Sequence, residues 1–448
     1  MINVSNDFIN EIPNPGKMKK NYICYDNKEV KPEVMTISFE TALFKSTMRQ
    51  IDLEVKNNEN IIDKEFTAHY GLLINNNFEY IDYGNFKVIE CEEVIKENKI
   101  KATAYDNMVR FMVTYNFEDL KIPIPCTILQ LVRAMCSHVK VGLYSTNFFN
   151  SNLIIEEDLF TPLNCTYRDV IDYICQATLT TAIIKDDKLY FKSIENTGIK
   201  VGPEVLKTLN LKSKFGPCNS LVLGRGNLND SIYSKDDISI QTHGLQEIKF
   251  DNNEILNQRR EKVIDKMFNY IKGLKYNSFE ATDLGLGFFE AADMITVQDT
   301  KQNKYSVLIL SASIKLTSGV AGTMSSEEPI TSTTKYQYAT DSEKRQARTE
   351  IIVDKQEKKI TQIIEEQTEH EGRITVVEQD VEGIKQKVES TAEYKRNAEG
   401  ITQIHITEAG QANVLKFVVK GSKTYENHLF PRTNLYPRSN LHPNRKGG

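Results

Sequence analysis

From Val353 to Tyr394 the chain keeps one heptad register without a slip. Its a positions are Val353, Ile360, Gln367, Ile374, Val381 and Val388, and its d positions are Gln356, Ile363, His370, Val377, Ile384 and Thr391. Eight of these twelve are Ile or Val and none is Leu. Beta-branched residues at both a and d disfavour a parallel dimer and favour three or more strands. The register therefore predicts a parallel homotrimeric coiled coil, a rod of about 60 Å at about 1.5 Å per residue. Its trimerisation core is Val353, Ile360, Ile363, Gln367, His370, Ile374, Val377, Val381, Ile384 and Val388. Gly372 at f and Gly383 at c each cost about 1 kcal/mol of helix propensity relative to Ala, so packing between helices must hold the rod together. Arg373 with Glu378 and Asp380 with Lys385 attract across parallel chains, whereas Glu366 with Glu371 repels. Gln367 and His370 form successive polar layers. They read as a register-fixing device or as a three-fold site for an anion or a water.

A chain of 448 residues is too long for one ordinary domain, and its length suggests about three units. A net charge of −5 argues against a general nucleic-acid binder. No apolar run approaches the roughly 20 residues that span a bilayer as a helix. The opening MINVSNDFINEIPNPGK lacks a basic start followed by an apolar core, so no signal peptide is expected. Seven cysteines without close pairing fit free thiols in a reducing compartment.

The expected fold class is α+β, mainly β. Two small β-barrel domains and a helical α+β subdomain precede the trimeric parallel coiled coil. Residues 1–35, rich in Asn, Pro and Lys, read as an N-terminal arm or an irregular first strand. Residues 36–118 read as the first barrel: TISFE and IDLEV alternate, and FTAHYGLLI–NNN–FEYIDYGNFKVIEC has the form of a hairpin, since Asn75, Asn76 and Asn77 tolerate positive φ. KIKATAYD adds a strand. In the α+β subdomain, 119–215, Thr127 and Thr166 are placed to N-cap two helices. Ile128, Leu131, Val132, Met135 and Val139, then Val170, Ile171 and Ile174, recur at helical spacing. Asp186 and Asp187 mark a hairpin turn. Residues 216–318 read as the second barrel, with SLVLG, ISIQT, NSFEAT, DMITVQD and YSVLILSASIKL as strands. One helix there carries the stripe Leu256, Val263, Met267, Ile271 and Leu274. The Ser, Thr and Gly content of 319–348 is that of a linker. The coiled coil is assigned to 349–399. Residues 400–448 hold short strands, ITQIHITEAG and VLKFVVKG, and a Pro-rich hexapeptide repeat, LFPRTN, LYPRSN, LHPNRK. Proline at that frequency forbids helix or central strand.

No pattern for catalysis emerges. None of the seven His stands in HExxH, and no GxSxG is present. Gly224-Arg225-Gly226 and Gly285-Leu286-Gly287 lack the rest of a phosphate-binding fingerprint and read as turns. Cys126, Cys136, Cys165 and Cys175 have the wrong spacing for a zinc knuckle and read as small buried hydrophobes. Neither a cofactor nor a metal is expected.

Three segments resemble the phage tail hub family, also described as the prophage endopeptidase tail or tail-associated lysin family. They are FTAHYGLLINNNFEYIDYGNFKVIE with KATAYDNMVRFM, TYRDVIDYICQATLTTAIIKDDKLYF, and ADMITVQDTKQNKYSVLILSASIKLTSGVAGTMSS. The resemblance runs from about Thr36 to Ser326. It implies a homotrimeric ring, with two barrels per chain giving six positions around a channel for phage DNA. It further implies contacts with the distal tail protein, the tail tube and tape measure proteins, and a tip fibre or receptor-binding protein. The implied place is the virion tail tip, assembled in the bacterial host cytoplasm. About 50 residues follow the coil, too few for a usual peptidase core, so a structural rather than enzymatic role is expected. A tail-associated cell-wall hydrolase and a receptor-binding fibre are the alternatives.

Overall fold

A computed structural model describes residues 1–14, 16–56, 61–225 and 230–326, and the backbone of three later strands, 392–397, 400–408 and 411–416. The chain divides into two units, Met1–Tyr338 and Ala339–Gly448. The fold is mainly β with few helices.

The first unit opens with helix α1 (Asn6–Glu11), capped by Ser5, whose hydroxyl accepts the Phe8 N–H at 3.0 Å. Strands β1 (Lys19–Tyr25) and β2 (Lys28–Val30) follow. Of the two readings of residues 1–35, an arm or a first strand, the strand is the one that forms, as β1. Phe8 and Ile12 are buried in the main core, and β1 pairs antiparallel with β5. Asn, Pro and Lys content conceals this because only every second residue of β1 points inward. Then come β3 (Val34–Glu40), β4 (Gln50–Lys56), β5 (Glu65–Ile74), β6 (Asn77–Val94) and β7 (Lys99–Asp106). The expected β5–β6 hairpin turns on Asn75 and Asn76, with φ of 48° and 67°, while Asn77 already belongs to the strand. Two positive φ angles match the right-handed strand twist, and Asn tolerates them. Asn76→Val should cost about 1–2 kcal/mol, the left-handed penalty of a residue with a branched Cβ, and Asn76→Gly should cost little; chemical denaturation of the two variants reads the contrast.

The next segment carries β8 (Cys126–Thr127), helix α2 (Ile128–Val139), β9 (Gly142–Leu143), β10 (Ile154–Ile155), helix α3 (Tyr167–Thr178), β11 (Thr181–Lys185) and β12 (Lys188–Lys192). Both helices open with a capping box. Thr127 exchanges hydrogen bonds with Gln130, and Thr166 does so with Asp169. Asp186 and Asp187 form the β11–β12 turn with φ of 47° and 59°. Asp187 then docks this subdomain on β6 by accepting the Asn85 N–H at 2.8 Å.

The remaining elements are β13 (Glu195–Val201), β14 (Leu206–Phe215), β15 (Ser220–Gly224), β16 (Ser231–Lys235), α4 (Asp237–His243), β17 (Glu247–Asp251), α5 (Glu254–Asn257), α6 (Arg260–Ile271), β18 (Tyr276–Asp283), β19 (Asp293–Gln298), β20 (Lys304–Leu308), β21 (Ser311–Leu316) and β22 (Val320–Ser326). Four sequence expectations change here. ISIQT is helical, because Asp236 caps α4 and accepts the Ser239 N–H at 3.1 Å. The single long helix is two, interrupted at Arg259, whose backbone (φ −143°, ψ 25°) leaves the helical region, and next to it Gln258 Oε1 accepts the Glu156 N–H at 2.7 Å. Leu256, Val263, Met267 and Ile271 are buried as expected, with Leu274 half-buried beyond the helix end. YSVLILSASIKL is two strands, β20 and β21. Part of the linker composition is β22, paired with both β18 and β21. Its Gly322 is needed for space, since a Cβ there would lie 2.2 Å from Asp283 Oδ1.

The two barrel regions are not separate bodies. Fourteen strands share one sheet, in the order β13-β19-β20-β18-β22-β21-β3-β4-β7-β6-β5-β1-β2, with β14 also on β18. The seam is β3 against β21, in register from Met35↔Leu316 to Glu40↔Ser311. Among the described residues no strand pair closes either half into its own barrel. One core runs beneath both halves, from Phe8, Tyr70 and Phe86 to Phe279, Phe288 and Ile314. Beside it, β16-β15-β17 form a small sheet on which α6 packs.

In the second unit β23 (Ala392–Asn397), β24 (Gly400–Glu408) and β25 (Gln411–Lys416) form an antiparallel meander. The strand expected in ITQIHITEAG corresponds to β24, and VLKFVVKG overlaps only the end of β25. Residues 392–397, the end of the segment assigned to the coil, form a strand in register with β24 (Tyr394↔Ile404), and Gly400 begins β24. The remainder of the heptad segment, most of the linker and the Pro-rich repeat lie outside the described residues.

Candidate functional site

The most developed polar site is buried where the end of β12, the start of β19 and the segment before β4 meet. Lys192, Glu290 and Asp293 are 1%, 3% and 0% exposed. Glu290 and Asp293 bracket a tight turn in which the Glu290 N–H donates to Asp293 Oδ2 at 2.8 Å. Lys192 Nζ lies 2.6 Å from Asp293 Oδ1 and 3.5 Å from Glu290 Oε2. The Met1 amine lies 2.7 Å from Glu290 Oε2 and 3.0 Å from Asp293 Oδ1. Arg49 approaches Glu290 to 4.0 Å and donates to the Tyr83 carbonyl at 3.3 Å.

Burial pushes Glu290 upward, but the attraction of Lys192, the amine and Arg49 outweighs it and holds the carboxyl down at about 2. Burial likewise works against a charged Lys192, and Asp293 and then Glu290 raise it above its ordinary value. A second buried carboxylate, Asp106, accepts the Arg49 and Met108 backbone N–H groups, each at 3.0 Å. Burial raises it to about 6 despite the nearby Arg49 and those two donors. Arg168 donates to Ser46 Oγ at 3.1 Å, and Asp172 accepts the Ser46 N–H at 2.7 Å. Together these groups tie the helical subdomain to the large sheet. Glu290 lies far from the range in which a group exchanges protons near neutrality, and both Asp106 oxygens are occupied by backbone donors. The arrangement clamps buried charges against one another.

The surface grooves carry less chemistry. One of about 600 Å³ lies on the outer face of β3, β4, β6 and β7 and is lined in part by Asp52, Glu54, Glu92, Lys101 and Lys315. Asp52 there accepts hydrogen bonds from Thr103 at 2.8 Å and Gln50 at 2.9 Å. Another, of about 400 Å³, lies beside α2 and includes Asp119, Arg133 and His138. His69 stacks on Tyr22 with ring centroids 4.6 Å apart, and burial lowers its basicity. Cys126, Cys136, Cys165 and Cys175 are all buried and form no disulfide. Burial raises the Cys136 thiol to about 12 and Cys175 well above its usual value, the reverse of what a thiolate nucleophile needs. Among the described residues no group of three or more His, Cys, Asp or Glu is arranged to hold a metal ion, and no helix is long and apolar enough to cross a membrane.

The residues singled out for trimerisation, Val353, Ile360, Ile363, Gln367, His370, Ile374, Val377, Val381, Ile384 and Val388, lie outside the described residues. Gly285 is a turn residue as expected, with φ of 112° and its N–H donated to Asp283. Sequence reasoning missed Lys192, Glu290 and Asp293. The only local sign is that charged residues stand beside strongly apolar strands, in KLYFK and EAADMITV.

No protein-family model matches the chain. No curated protein matches it either. Several solved structures are similar to it. The 43 kDa tail protein of prophage MuSo2 from Shewanella oneidensis is 11% identical, with a TM-score of 0.46, over 70% of this chain and 99% of its own. A tail protein from Neisseria meningitidis MC58 is 10% identical, with a TM-score of 0.44, over 68% and 95%. Prophage tail protein gp18 from Listeria monocytogenes EGD-e is 14% identical, with a TM-score of 0.40, over 68% and 94%.

Proposed function

We propose that this chain is a structural hub of a phage tail tip. It acts as a homotrimer that joins the tail tube and distal tail protein to a tip fibre and surrounds the end of the DNA channel. The observation that carries the reading is how its three resembling segments assemble. The β5–β6–β7 strands, the α3–β11–β12 subdomain and the β19–β22 strands form one body around a shared sheet. The heptad register supplies the three-fold axis on sequence grounds. The buried charges pair with one another instead of facing a cleft, which favours a scaffold over a cell-wall hydrolase. The purified chain should have a solution mass of about three times 51.2 kDa and should leave Gram-positive cell walls intact in a zymogram. A monomer at all concentrations removes the hub, and a clear lysis zone replaces it with the hydrolase.

A further inference from the structure

We propose that residues 217–274 form a latched lobe that swings on a neck at Gly216 and Gly273. The inference concerns motion within one chain and stands apart from the tail reading. Strands β14 and β18 are antiparallel neighbours, and their ladder reaches Phe215↔Tyr276. The chain between those two residues leaves the large sheet and returns to the same place. At the neck its two crossings touch. The Cys218 N–H donates to the Leu274 carbonyl at 2.8 Å, and the Gly273 N–H donates to the Cys218 carbonyl at 2.9 Å. Each crossing turns on a glycine of positive φ, 90° at Gly216 and 83° at Gly273. A few residues at the ends of elements are what a domain hinge uses to absorb a change of backbone angle.

The lobe has its own interior. Leu221, Leu223, Ile248 and Met267 are buried, α6 packs on β15 and β16, and the core beneath the large sheet includes none of residues 217–274. Two groups of contacts seat it on the rest of the chain. Three residues before Gly273, Tyr270 stacks on Phe149 with centroids 4.1 Å apart and meets Ser193 Oγ at 3.0 Å. The second group lies in residues 250–259. Phe250 meets Phe44 edge-on at 6.0 Å. Asn253, 1% exposed, bolts α5 to α3. Its Oδ1 accepts the Ile255 and Leu256 N–H groups, and its Nδ2 donates to the Tyr173 carbonyl and to Gln176 Oε1, both at 2.9 Å. Gln258 accepts the Glu156 and Glu157 N–H groups and donates to the Glu157 carbonyl, and Arg259 pairs with Glu156. This seat is short and largely polar, the kind of interface across which domains move relative to one another. Opening it uncovers Phe44 and Phe250.

Spin-label distances in the full chain test this. Ser137→Cys on α2 and Gln241→Cys on α4 place labels at exposed positions, and Cys24→Ser with Cys91→Ser removes the half-buried and exposed native thiols. Dilution with unlabelled chain restricts the reading to distances within one molecule. Asn253→Asp keeps the oxygen that caps α5 and removes the donating amide, and Gln176→Glu sets a second carboxylate opposite it. The parent should give one narrow peak, and so should Gln176→Glu alone, where the Asn253 amide keeps its acceptor. The double variant should move most of the distribution to a second, displaced peak while hydrogen exchange across β15 and α6 stays slow. An unchanged single peak in the double variant overturns the proposal. A displaced peak with fast exchange across β15 and α6 also overturns it, because the lobe has then unfolded instead of swinging. Where the double variant does not fold, Gln258→Ala with Arg259→Ala, which removes only exposed hydrogen bonds, is read in the same way. Neither outcome alters the solution mass that tests the hub.

Discussion

Lys192→Met lowers the stability of the first unit by about 3–5 kcal/mol, the usual cost of removing one partner from a buried charge pair. The substitution keeps most of the side-chain volume but leaves Glu290 and Asp293 buried with less opposing charge. The pH dependence separates this effect from lost packing. Glu290 is held at about 2 in the folded chain, below its ordinary 4.5. A depressed carboxyl contributes stability that is complete above the unfolded value and fades as pH falls from about 4.5 to 2, here about 3 kcal/mol. In Lys192→Met that depression shrinks, so the gap between variant and parent narrows across this window. Asp106 acts in the opposite sense. Raised to about 6 from 3.8, it favours the folded state increasingly as pH falls between those values, in parent and variant alike. Urea titrations from pH 7 to 3 measure all three trends. A loss under about 1 kcal/mol, or a gap that does not change with pH, would mean that the cluster does not clamp the fold.

What could be read from the sequence was local. Asn75-Asn76 and Asp186-Asp187 announce turns because their short polar side chains tolerate positive φ whatever surrounds them. Thr127 and Thr166 announce helices because a cap acts within four residues. The failures share a different cause. Strand β22 has linker composition, and it is a strand only because β18 and β21 flank it and Asp283 fills the space above Gly322. Phe8 stands in an Asn-rich stretch that looks dispensable, yet it is completely buried. Lys192 meets Glu290 and Asp293 across separations of 98 and 101 residues, which no periodicity encodes. The seam between β3 and β21 is of the same kind. It joins the two expected barrel regions in one sheet.

The core shared by the two halves sets the second large effect. Phe279→Ala should cost about 3–5 kcal/mol, through lost burial and the cavity left behind. Phe279 is fully buried on β18, where its Cα partners are Leu211 on β14 and Ser326 on β22. The shared core predicts more than the size of the loss. The chain has no Trp, so a single reporter can be placed in either half, by Tyr22→Trp on β1 or by Tyr305→Trp on β20. Both positions are half-buried. If the halves fold as one cooperative unit, Phe279→Ala shifts the denaturation midpoint equally at both reporters and leaves the slope unchanged. If each half is an independent barrel, the β20 reporter moves and the β1 reporter stays. The second outcome would reduce the β3–β21 ladder to a contact between two domains, and the clamp at Lys192 would then have to hold them together by itself.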